Sequence, residues 1–406
     1  MKTIWIVSGG AEAVPGIHRA KEMGFNVIVS DGNPQAPGFR EAHHSIVMDT
    51  YNVAGTVDAA REYHKSVNSI DGVISIAADV PLTVAKVADE LGLPGIPLES
   101  AQLSSDKFAM KNRFSERNIP IPWYCQIESE NHLRKIVTDS DFSLVIKPVD
   151  SRGARGVMRL SPEVDLKWAF HHSLQFSPSG RVMVEEFLNG PQVSTESILL
   201  DGIGYNIGFS DRNYEFLDLF APNIIENGGE QPSFLELDDQ LIISQLAEEA
   251  GRALGIKNGI VKGDMVLTTE GPKVIEIAPR LSGGSFCTDQ IPLSTGVDLI
   301  GNAIKLALGL KVDPEELIPR YRNGVAIRYF FPNQGRVNSI EGIEQFENVP
   351  WVYQLKFFVK PGNIIEPISD HTKRGGFVIT TGDTSKQAVE RAEQVIKAVK
   401  IISTPV

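Results

Sequence analysis

Cysteine is scarce in this sequence, and the two residues present, Cys125 and Cys287, lie far apart. Two such cysteines provide neither a disulfide framework nor a metal-binding spacing, and they indicate a reducing compartment. We therefore expect a cytoplasmic protein with packed thiols. Histidine is also scarce, with eight residues in all. His18 and the pairs at 43–44 and 171–172 show no metal-ligand spacing, so we expect surface or capping roles for them.

Basic residues are outnumbered by acidic ones, and the formal net charge is -12. A nucleic-acid surface needs a basic face, so we expect no nucleic-acid partner. No apolar run approaches the length of a membrane-spanning helix, and the opening MKTIWIVSGG is too short a run for a signal peptide. With 406 residues, 42% hydrophobic and 22% charged, the chain should form an ordinary globular protein of two or three domains, without a membrane partner.

Two familiar nucleotide-binding patterns are missing as well. The loop GGAEAVPG lacks the GxGxxG spacing and contains Pro15, so nicotinamide or flavin binding, with Asp31 on a ribose, is a weaker interpretation than a structural turn. Gly153 and Gly156 do not form a Walker loop, because no helix beginning GK[ST] follows. A glycine-rich loop between two strands can still cover phosphates with its N–H groups, and Lys147 stands just before this one.

The arrangement of apolar segments predicts three regions. Residues 1–100 alternate the strands TIWIVS, NVIVSD and GVISIA with helices such as VPLTVAKVADELGL, which predicts a parallel sheet with helices on both faces. Residues 101–320 contain a helix SSDKFAMKNRF, the strands LVIKP, VMRL and RVMVEEF, and helices within 234–255 and 294–310. From about 321 the chain is rich in strands again and ends in the helix SKQAVERAEQVIKAV, typical of a small α+β domain.

The segment KGDMVLTTEGPKVIEIAPRLSGGS predicts a hairpin with a carboxylate on each arm. A three-residue loop ending at Gly271, where positive φ is needed, would place Thr268 opposite Pro272. Asp264 would then lie directly opposite Glu276. Opposed residues share one face of a sheet, so the two carboxylates should converge.

Converging carboxylates suit a hard cation such as Mg²⁺, which takes oxygen ligands and usually also binds substrate phosphates. Arg280 follows the hairpin at once and suits a developing phosphoryl or oxyanion charge. An exposed hairpin with ordinary surface acids is an equally good interpretation of the segment taken alone. The upstream lysines and the glycine-rich loop favour the Mg²⁺ site.

The ordered set of segments resembles the ATP-grasp enzymes of the carboxylate–amine ligase type over essentially the whole chain. The segments are SSDKFAMK, LVIKPVDSRGARGV, VEEFLNGPQVSTES, GDMVLTTEG and VIEIAPRLSGG, with a C-terminal part like that of L-amino-acid ligases. The resemblance implies an α/β and α+β fold and a homodimer. Its domains would be a parallel α/β pre-grasp domain at 1–100, an ATP-grasp domain at 101–320 with a lid subdomain at about 105–190, and a C-terminal ligase domain at 321–406.

The resemblance also implies a role for each matching residue. Arg280 and Lys147 would be catalytic, and Asp264 and Glu276 would bind Mg²⁺, with Mn²⁺ as an alternative ion. The loop at 151–157 would be a mobile lid. The residues implied to bind ATP are Lys107, Lys147, Ser151, Gly153, Gly156, Val157, Glu185, Glu186, Phe187, Leu188 and Gln192. Those implied to contact the other substrates are Arg280, Ser282, Gly283, Gly284 and Glu226.

Three positions depart from the pattern of the family. Ala278 stands where the family usually has a metal-binding Asn and cannot act as a ligand. Gln192 replaces an acid that binds the ribose hydroxyls, and a glutamine can still hydrogen-bond them. Asp264 stands where many relatives have Glu, and its shorter side chain would shift the ion.

The activity implied is ATP-dependent ligation of a small-molecule carboxylate to an amine, with an amino-acid-like substrate. The carboxylate would be phosphorylated to an acyl phosphate, with ADP released, and the amine would then displace phosphate. Alternatives are a ligase of the purine or carbamoyl-phosphate type, a degenerate nucleotide-binding regulator, and a nicotinamide oxidoreductase. A biotin-dependent carboxylase fits less well because the chain has no biotinyl carrier.

Overall fold

The computed structural model describes residues 1–405, and it has a mixed α/β architecture with its strands in four sheets. The N-terminal sheet is fully parallel in the order β3-β2-β1-β4, which confirms the prediction of a parallel α/β region. Its elements are β1 (Thr3–Val7), α1 (Val14–Glu22), β2 (Asn26–Asp31), α2 (Gly38–Glu41), β3 (His44–Val47), α3 (Val53–Ser66), β4 (Gly72–Ser75) and α4 (Pro81–Leu91).

Helices cover both faces of this sheet because successive residues of its strands point to opposite sides. Ile4 and Ile6 of β1 join the apolar cluster formed with α1, while Trp5 and Val7 join the cluster formed with α3 and α4. The helix predicted at VPLTVAKVADELGL is α4, and its Val87 is fully buried in the second cluster.

A second, antiparallel sheet follows, in the order β5-β8-β6-β7. Helices α7 and α8 pack on it around an apolar cluster that includes Leu133 and Ile146. This region contains α5 (Leu98–Ser104), α6 (Lys107–Glu116), β5 (Tyr124–Ile127), α7 (Glu130–Asp139), β6 (Leu144–Pro148), β7 (Met158–Leu160), α8 (Leu166–Gln175) and β8 (Val182–Glu186).

The largest sheet has eight strands in the order β13-β12-β9-β10-β11-β14-β18-β16. Strands β11 and β14 pair directly, so the sheet continues across the predicted domain boundary at residue 320. Its elements, with two helices that pack nearby, are β9 (Gln192–Leu200), β10 (Ile203–Asn213), β11 (Gly228–Gln231), α9 (Leu237–Ala253), β12 (Gly259–Thr268), β13 (Gly271–Ala278), α10 (Ile291–Thr295), α11 (Leu299–Ala307), β14 (Gly324–Phe330), β16 (Val352–Phe357) and β18 (Gly376–Gly382).

The remaining C-terminal elements complete the α+β region that the sequence predicts. Helix α12 packs on β14 and β18, burying Ala388, Ala392 and Val395. The small third sheet has the order β17-β15-β19. These elements are β15 (Gly335–Glu341), β17 (Ile364–Ile365), α12 (Ser385–Ala398) and β19 (Lys400–Thr404).

The N-terminal sheet contacts the large sheet just after the last residues of β13. Ile76, just after β4, forms an isolated β-bridge with Leu281, just after β13. Both side chains belong to the apolar cluster that also includes Ile300 and Ile304 of α11. The loops at the carboxyl ends of β1 and β4, where ligands of parallel sheets bind, are thereby held against the segment that follows β13.

No helix within residues 1–405 combines the length and the apolar character that crossing a membrane requires.

Candidate active site

Strands β12 and β13 form the predicted hairpin, and Asp264 lies opposite Glu276 as expected. The predicted loop is wrong by one residue, because Thr268 pairs with Gly271 and not with Pro272. A β-bulge after Asp264 adds one residue, Ile275, to β13 and restores the register. The two carboxylates therefore share a face through a two-residue loop and a bulge, which together replace the three-residue loop.

Two cations hold the Asp264 carboxylate. Its Oδ1 accepts a hydrogen bond from Arg212 Nη1 at 2.8 Å, and its Oδ2 lies 2.5 Å from Lys262 Nζ. Ser194 Oγ donates to Oδ1 at 3.1 Å. Burial raises the pKa of Asp264, but Arg212 and Lys262 together lower it by more than burial raises it, so the pKa lies well below its usual range. Asp264 is thus an anion that is already partly neutralised by the protein.

Glu276 is less tightly paired. Its Oε1 lies 3.4 Å from Lys107 Nζ, which donates a hydrogen bond to the Ser151 carbonyl at 2.9 Å. Lys107 therefore connects the hairpin with the first residue of the predicted lid.

The residues present fit a metal ion only if a nucleotide supplies further ligands. Within residues 1–405, no group of three or more His, Cys, Asp or Glu side chains could hold a metal ion. Asp264 and Glu276 offer carboxylate oxygens, and Ala278 offers none. Mg²⁺ commonly binds one or two carboxylates together with waters and substrate phosphates. The two acids therefore suit an ion held jointly with ATP and do not form a cage of protein ligands.

A buried triad lies in the opposite wall of the cleft, on α6, β6 and β8. Glu185 forms an ion pair with Lys147, and its Oε2 lies 3.4 Å from Lys111 Nζ. Lys111 also donates to the Val274 carbonyl at 3.0 Å. Burial lowers the pKa of Lys111 to about 8, although Glu185 partly opposes this shift. Sequence reasoning missed Lys111, and the signal available was its position one helical turn after Lys107.

The predicted lid loop, 151–157, contacts both ends of the chain. Arg152 Nε lies 3.3 Å from Asp79 Oδ2, and its guanidinium stacks over the Tyr51 ring at 4.4 Å. The His371 N–H donates to the Gly153 carbonyl at 3.3 Å. The loop is therefore held between residues of the N-terminal and C-terminal regions.

Arg280 lies at the end of β13, on the side of the cleft that faces the N-terminal sheet. Its Nε is 3.5 Å from Asp79 Oδ1, and its Nη1 donates to the Leu281 carbonyl at 3.2 Å. Asp79 thus stands between Arg280 and Arg152. Burial raises the pKa of Asp79, but these two arginines lower it more, so the net shift is downward.

The turn after Arg280 is anchored on a buried acid. Glu196 of β9 is fully buried and accepts hydrogen bonds from the Ser282 N–H, at 3.0 Å, and from the Ser282 hydroxyl. Burial raises the pKa of Glu196 to about 7, although these hydrogen bonds partly lower it. Its role would be to position Gly283 and Gly284, which follow Ser282.

Replacing Glu196 with glutamine should change how stability depends on pH. The folded pKa of about 7 exceeds the usual 4.5, so between these values the folded state retains a proton that the unfolded state has lost. The stability contributed by Glu196 therefore falls as pH rises through this window. In urea unfolding, the free energy of unfolding of Glu196→Gln should rise by about 3 kcal/mol relative to that of the wild type as the pH increases from about 4 to about 8. An equal pH dependence for wild type and variant would contradict the assignment, and Glu249→Gln, at an exposed site, is the control.

The far end of the cleft contains Glu226, which sequence reasoning had placed near the substrate. Arg212 Nη2 contacts its carboxylate at 2.6 Å, and Arg374 Nη2 donates to its carbonyl at 2.6 Å. Arg374 is buried and stacks over the Tyr329 ring at 3.7 Å. Glu226 thus links β10 to the C-terminal region.

Glu12, from the loop after β1, accepts a hydrogen bond from the Gly284 N–H at 3.2 Å.

Apart from Lys111 and Glu196, the charged side chains of the site line one cavity of about 630 Å³. All the predicted site residues except Gly156 line it. Gly156 has φ +71° and packs where a Cβ would crowd Phe176 and Pro148, so it shapes the loop instead. Lining residues that the sequence analysis did not assign to the site include Glu12, Tyr51, Asp79, Arg212, Tyr214, Lys262, Tyr329, His371 and Arg374.

A cleft between an antiparallel sheet that carries the buried Lys147 and a larger sheet that carries paired carboxylates is the arrangement expected of an ATP-dependent ligase. Comparisons with known proteins place the chain in that class. Three family models match: the ATP-grasp N-terminal domain at residues 17–95, the ATP-grasp domain at 104–284, and the L-amino acid ligase C-terminal domain 2 at 328–403. The chain belongs to the ATP-grasp family and is an ATP-dependent ligase of its carboxylate–amine branch.

Similar proteins span nearly the whole chain. The formate-dependent phosphoribosylglycinamide formyltransferase of Paraburkholderia xenovorans is 25% identical over 97% of this chain and 93% of its own. An uncharacterised protein of Sinorhizobium fredii, y4rH, is 26% identical over 87% and 72%. The crystal structure of an L-amino acid ligase from Bacillus licheniformis superposes with a TM-score of 0.83 at 20% identity, covering 100% of this chain and 99% of that one.

Proposed function

We propose that the protein joins a small-molecule carboxylate to an amine through an acyl phosphate. A carboxylate oxygen attacks the γ-phosphorus of ATP, and the bond to the β-phosphate oxygen breaks, releasing ADP. The amine nitrogen then attacks the acyl carbon, loses a proton, and expels phosphate. The observation that carries this proposal is the convergence of Lys107, Glu276 and Arg280 on one cavity, beside a loop that contacts the N-terminal and C-terminal regions.

The phosphate groups of ATP would lie between the two sheets. Lys107 and Lys147 present compact ammonium charges that suit phosphate oxygens. A divalent ion held by Asp264 and Glu276 would supply neutralising charge when bound. Arg280, at the end of β13, would bind the transferred phosphoryl group and the substrate carboxylate, since phosphoryl transfer depends mainly on positioning and charge neutralisation.

The adenine would bind at the end of β8. The N–H of Glu186 already donates to the Trp123 carbonyl at 2.8 Å, so only its carbonyl is available to accept from the exocyclic amine. The N–H of Leu188 would donate to the ring. Glu185, which the resemblance implies to bind ATP, forms ion pairs with two lysines and would contact the exocyclic amine through the acceptor capacity that remains.

The loop 151–157 would exclude water from the acyl phosphate. Closing an active site keeps water away from a reactive intermediate. Arg152 contacts Asp79, and Asp79 contacts Arg280, so the closed loop and the proposed phosphoryl-binding arginine share one carboxylate.

The amine would bind beside Gly284, at Glu12. This carboxylate lines the cavity and accepts from the Gly284 N–H, and it forms no ion pair with a cation within residues 1–405. We expect Glu12→Gln to raise the KM for the amine about 10- to 100-fold, because a hydrogen bond to a charged group contributes about 1.5–3 kcal/mol. The KM for ATP is the internal control. An unchanged KM for the amine would remove Glu12 from this role.

A phosphate-release screen tests the activity. Amino acids and small acids are added singly and in pairs to the protein with ATP and Mg²⁺, and products are identified by mass. We expect release that requires two substrates and yields a condensed product. ATP hydrolysis that is independent of any acid would contradict the proposal.

A second candidate follows from the near full-length similarity to the formyltransferase of Paraburkholderia xenovorans. The screen therefore includes formate with phosphoribosylglycinamide. Phosphate release with that pair alone would favour this candidate over ligation of an amino-acid-like substrate.

A further inference from the structure

Lys262 lies on β12, in the hairpin that carries the two proposed metal-binding carboxylates. It precedes Asp264 by two residues on β12, so both side chains point to the same face. Its pairing partner across the hairpin is Ala278, and its partner on β9 is Glu196. The Lys262 side chain is only 13% exposed, it lines the cavity, and its Nζ is 2.5 Å from Asp264 Oδ2.

The two carboxylates of the hairpin are not equivalent. Each oxygen of Asp264 has its own cation, with Arg212 on Oδ1 and Lys262 on Oδ2. Glu276 has a single cation, Lys107, at the longer distance of 3.4 Å. The space on the Glu276 side is therefore the more open one for a metal ion.

Ala278 removes any ligand from the position opposite Lys262. The methyl group cannot bind a cation, and the residue paired with it across the hairpin is Lys262. Within residues 1–405 no third His, Cys, Asp or Glu completes a metal-binding group with the two acids, and each oxygen of Asp264 already has a cation. A second ion bound to Asp264 would therefore have to displace Arg212 or Lys262. A lysine ammonium carries three donors on a flexible stem and can contact phosphate oxygens directly.

We propose that this site holds a single divalent cation with ATP and that the Lys262 ammonium serves as the second cation. The metal ion would lie on the Glu276 side of the pair. The Lys262 ammonium would neutralise phosphate charge on the Asp264 side. As part of the protein, it cannot dissociate as a metal ion can. The inference rests on the proposed binding of ATP in this cavity.

Counting bound Mn²⁺ ions tests the inference. Purified protein is titrated with Mn²⁺ and a non-hydrolysable ATP analogue, and free Mn²⁺ is measured by electron paramagnetic resonance. We expect one ion for each chain in the wild type and also in Lys262→Arg, which keeps the charge. Two ions of similar affinity in the wild type would overturn the inference while leaving the proposed function intact.

Removing the charge gives a second, independent measurement. In Lys262→Met, we expect the dissociation constant of the analogue at one equivalent of Mn²⁺ to rise by about 10-fold or more, since a hydrogen bond from a charged group is lost. Binding should recover at high Mn²⁺, as a second ion occupies the freed Asp264 oxygen. Analogue affinity equal to the wild type at one equivalent would overturn the inference.

Two controls separate the causes of failure. Lys257→Met removes an exposed lysine just before β12 and should leave both ion count and affinity unchanged. Thermal unfolding checks that each variant is folded. If the analogue does not bind to the wild type at any Mn²⁺ concentration, the proposed function fails and the inference fails with it.

Discussion

Replacing Arg280 with alanine should lower kcat about 10³-fold, in line with the effect of an arginine on phosphoryl transfer. Arg280 is the arginine at the end of β13, where the cavity passes from the proposed phosphate region to Gly283 and Gly284. Its loss would leave the charge that develops on the transferred group without a neighbouring guanidinium. The measurement is steady-state phosphate release with the substrate pair that the screen identifies, and the KM for ATP should change little.

Folding should tolerate this change because Asp79 keeps a second arginine, Arg152, at 3.3 Å. Arg280→Lys retains a charge but loses the planar fork, so we expect a kcat between those of wild type and alanine variant. Arg322→Ala, at an exposed position, is the matched control. A kcat for Arg280→Ala within about 10-fold of wild type would exclude a role for this residue in phosphoryl transfer.

The local features of the fold were predictable because they depend on short-range patterns. The alternation of strands and helices along residues 1–100 predicted the parallel N-terminal sheet. The hairpin shows the limit of such reasoning. The opposition of Asp264 and Glu276 is confirmed, but the predicted loop is wrong by one residue, and the bulge at Ile275 compensates for the difference. A bulge adds a residue without a distinctive sequence, so counting along the chain cannot reveal it.

Arg212 and Arg374 could not be predicted as site residues, because the position of each depends on long-range strand pairing. Arg212 reaches Asp264 only because β9 lies between β10 and β12 in the sheet. Arg374 arrives from the far side of the same sheet, since β11 pairs with β14 and β14 with β18. Lys262 could have been noticed, because residues two apart on a strand share a face and Lys262 precedes Asp264 by two residues.

A large loss of stability is expected when the buried triad of Glu185, Lys111 and Lys147 loses its carboxylate. Glu185→Gln removes the carboxylate that two buried ammonium groups share. Removing one partner of a buried ion pair costs about 3–5 kcal/mol, because the remaining charge stays buried without compensation. We therefore expect the free energy of unfolding in urea at neutral pH to fall by about that amount. Glu186→Gln, next along the strand and more accessible, should cost about 1 kcal/mol or less.

The pH dependence of this loss identifies its cause. With Glu185 present, burial lowers the pKa of Lys111 to about 8, and without this carboxylate the pKa should fall further. The variant can then release the Lys111 proton on folding at a pH where the wild type still retains it. Destabilisation by Glu185→Gln should consequently decrease as pH rises towards about 8 and should level off above about 8, where the folded wild type also loses the Lys111 proton. A loss that is independent of pH would indicate that the missing hydrogen bonds, and not the buried charge of Lys111, determine the cost.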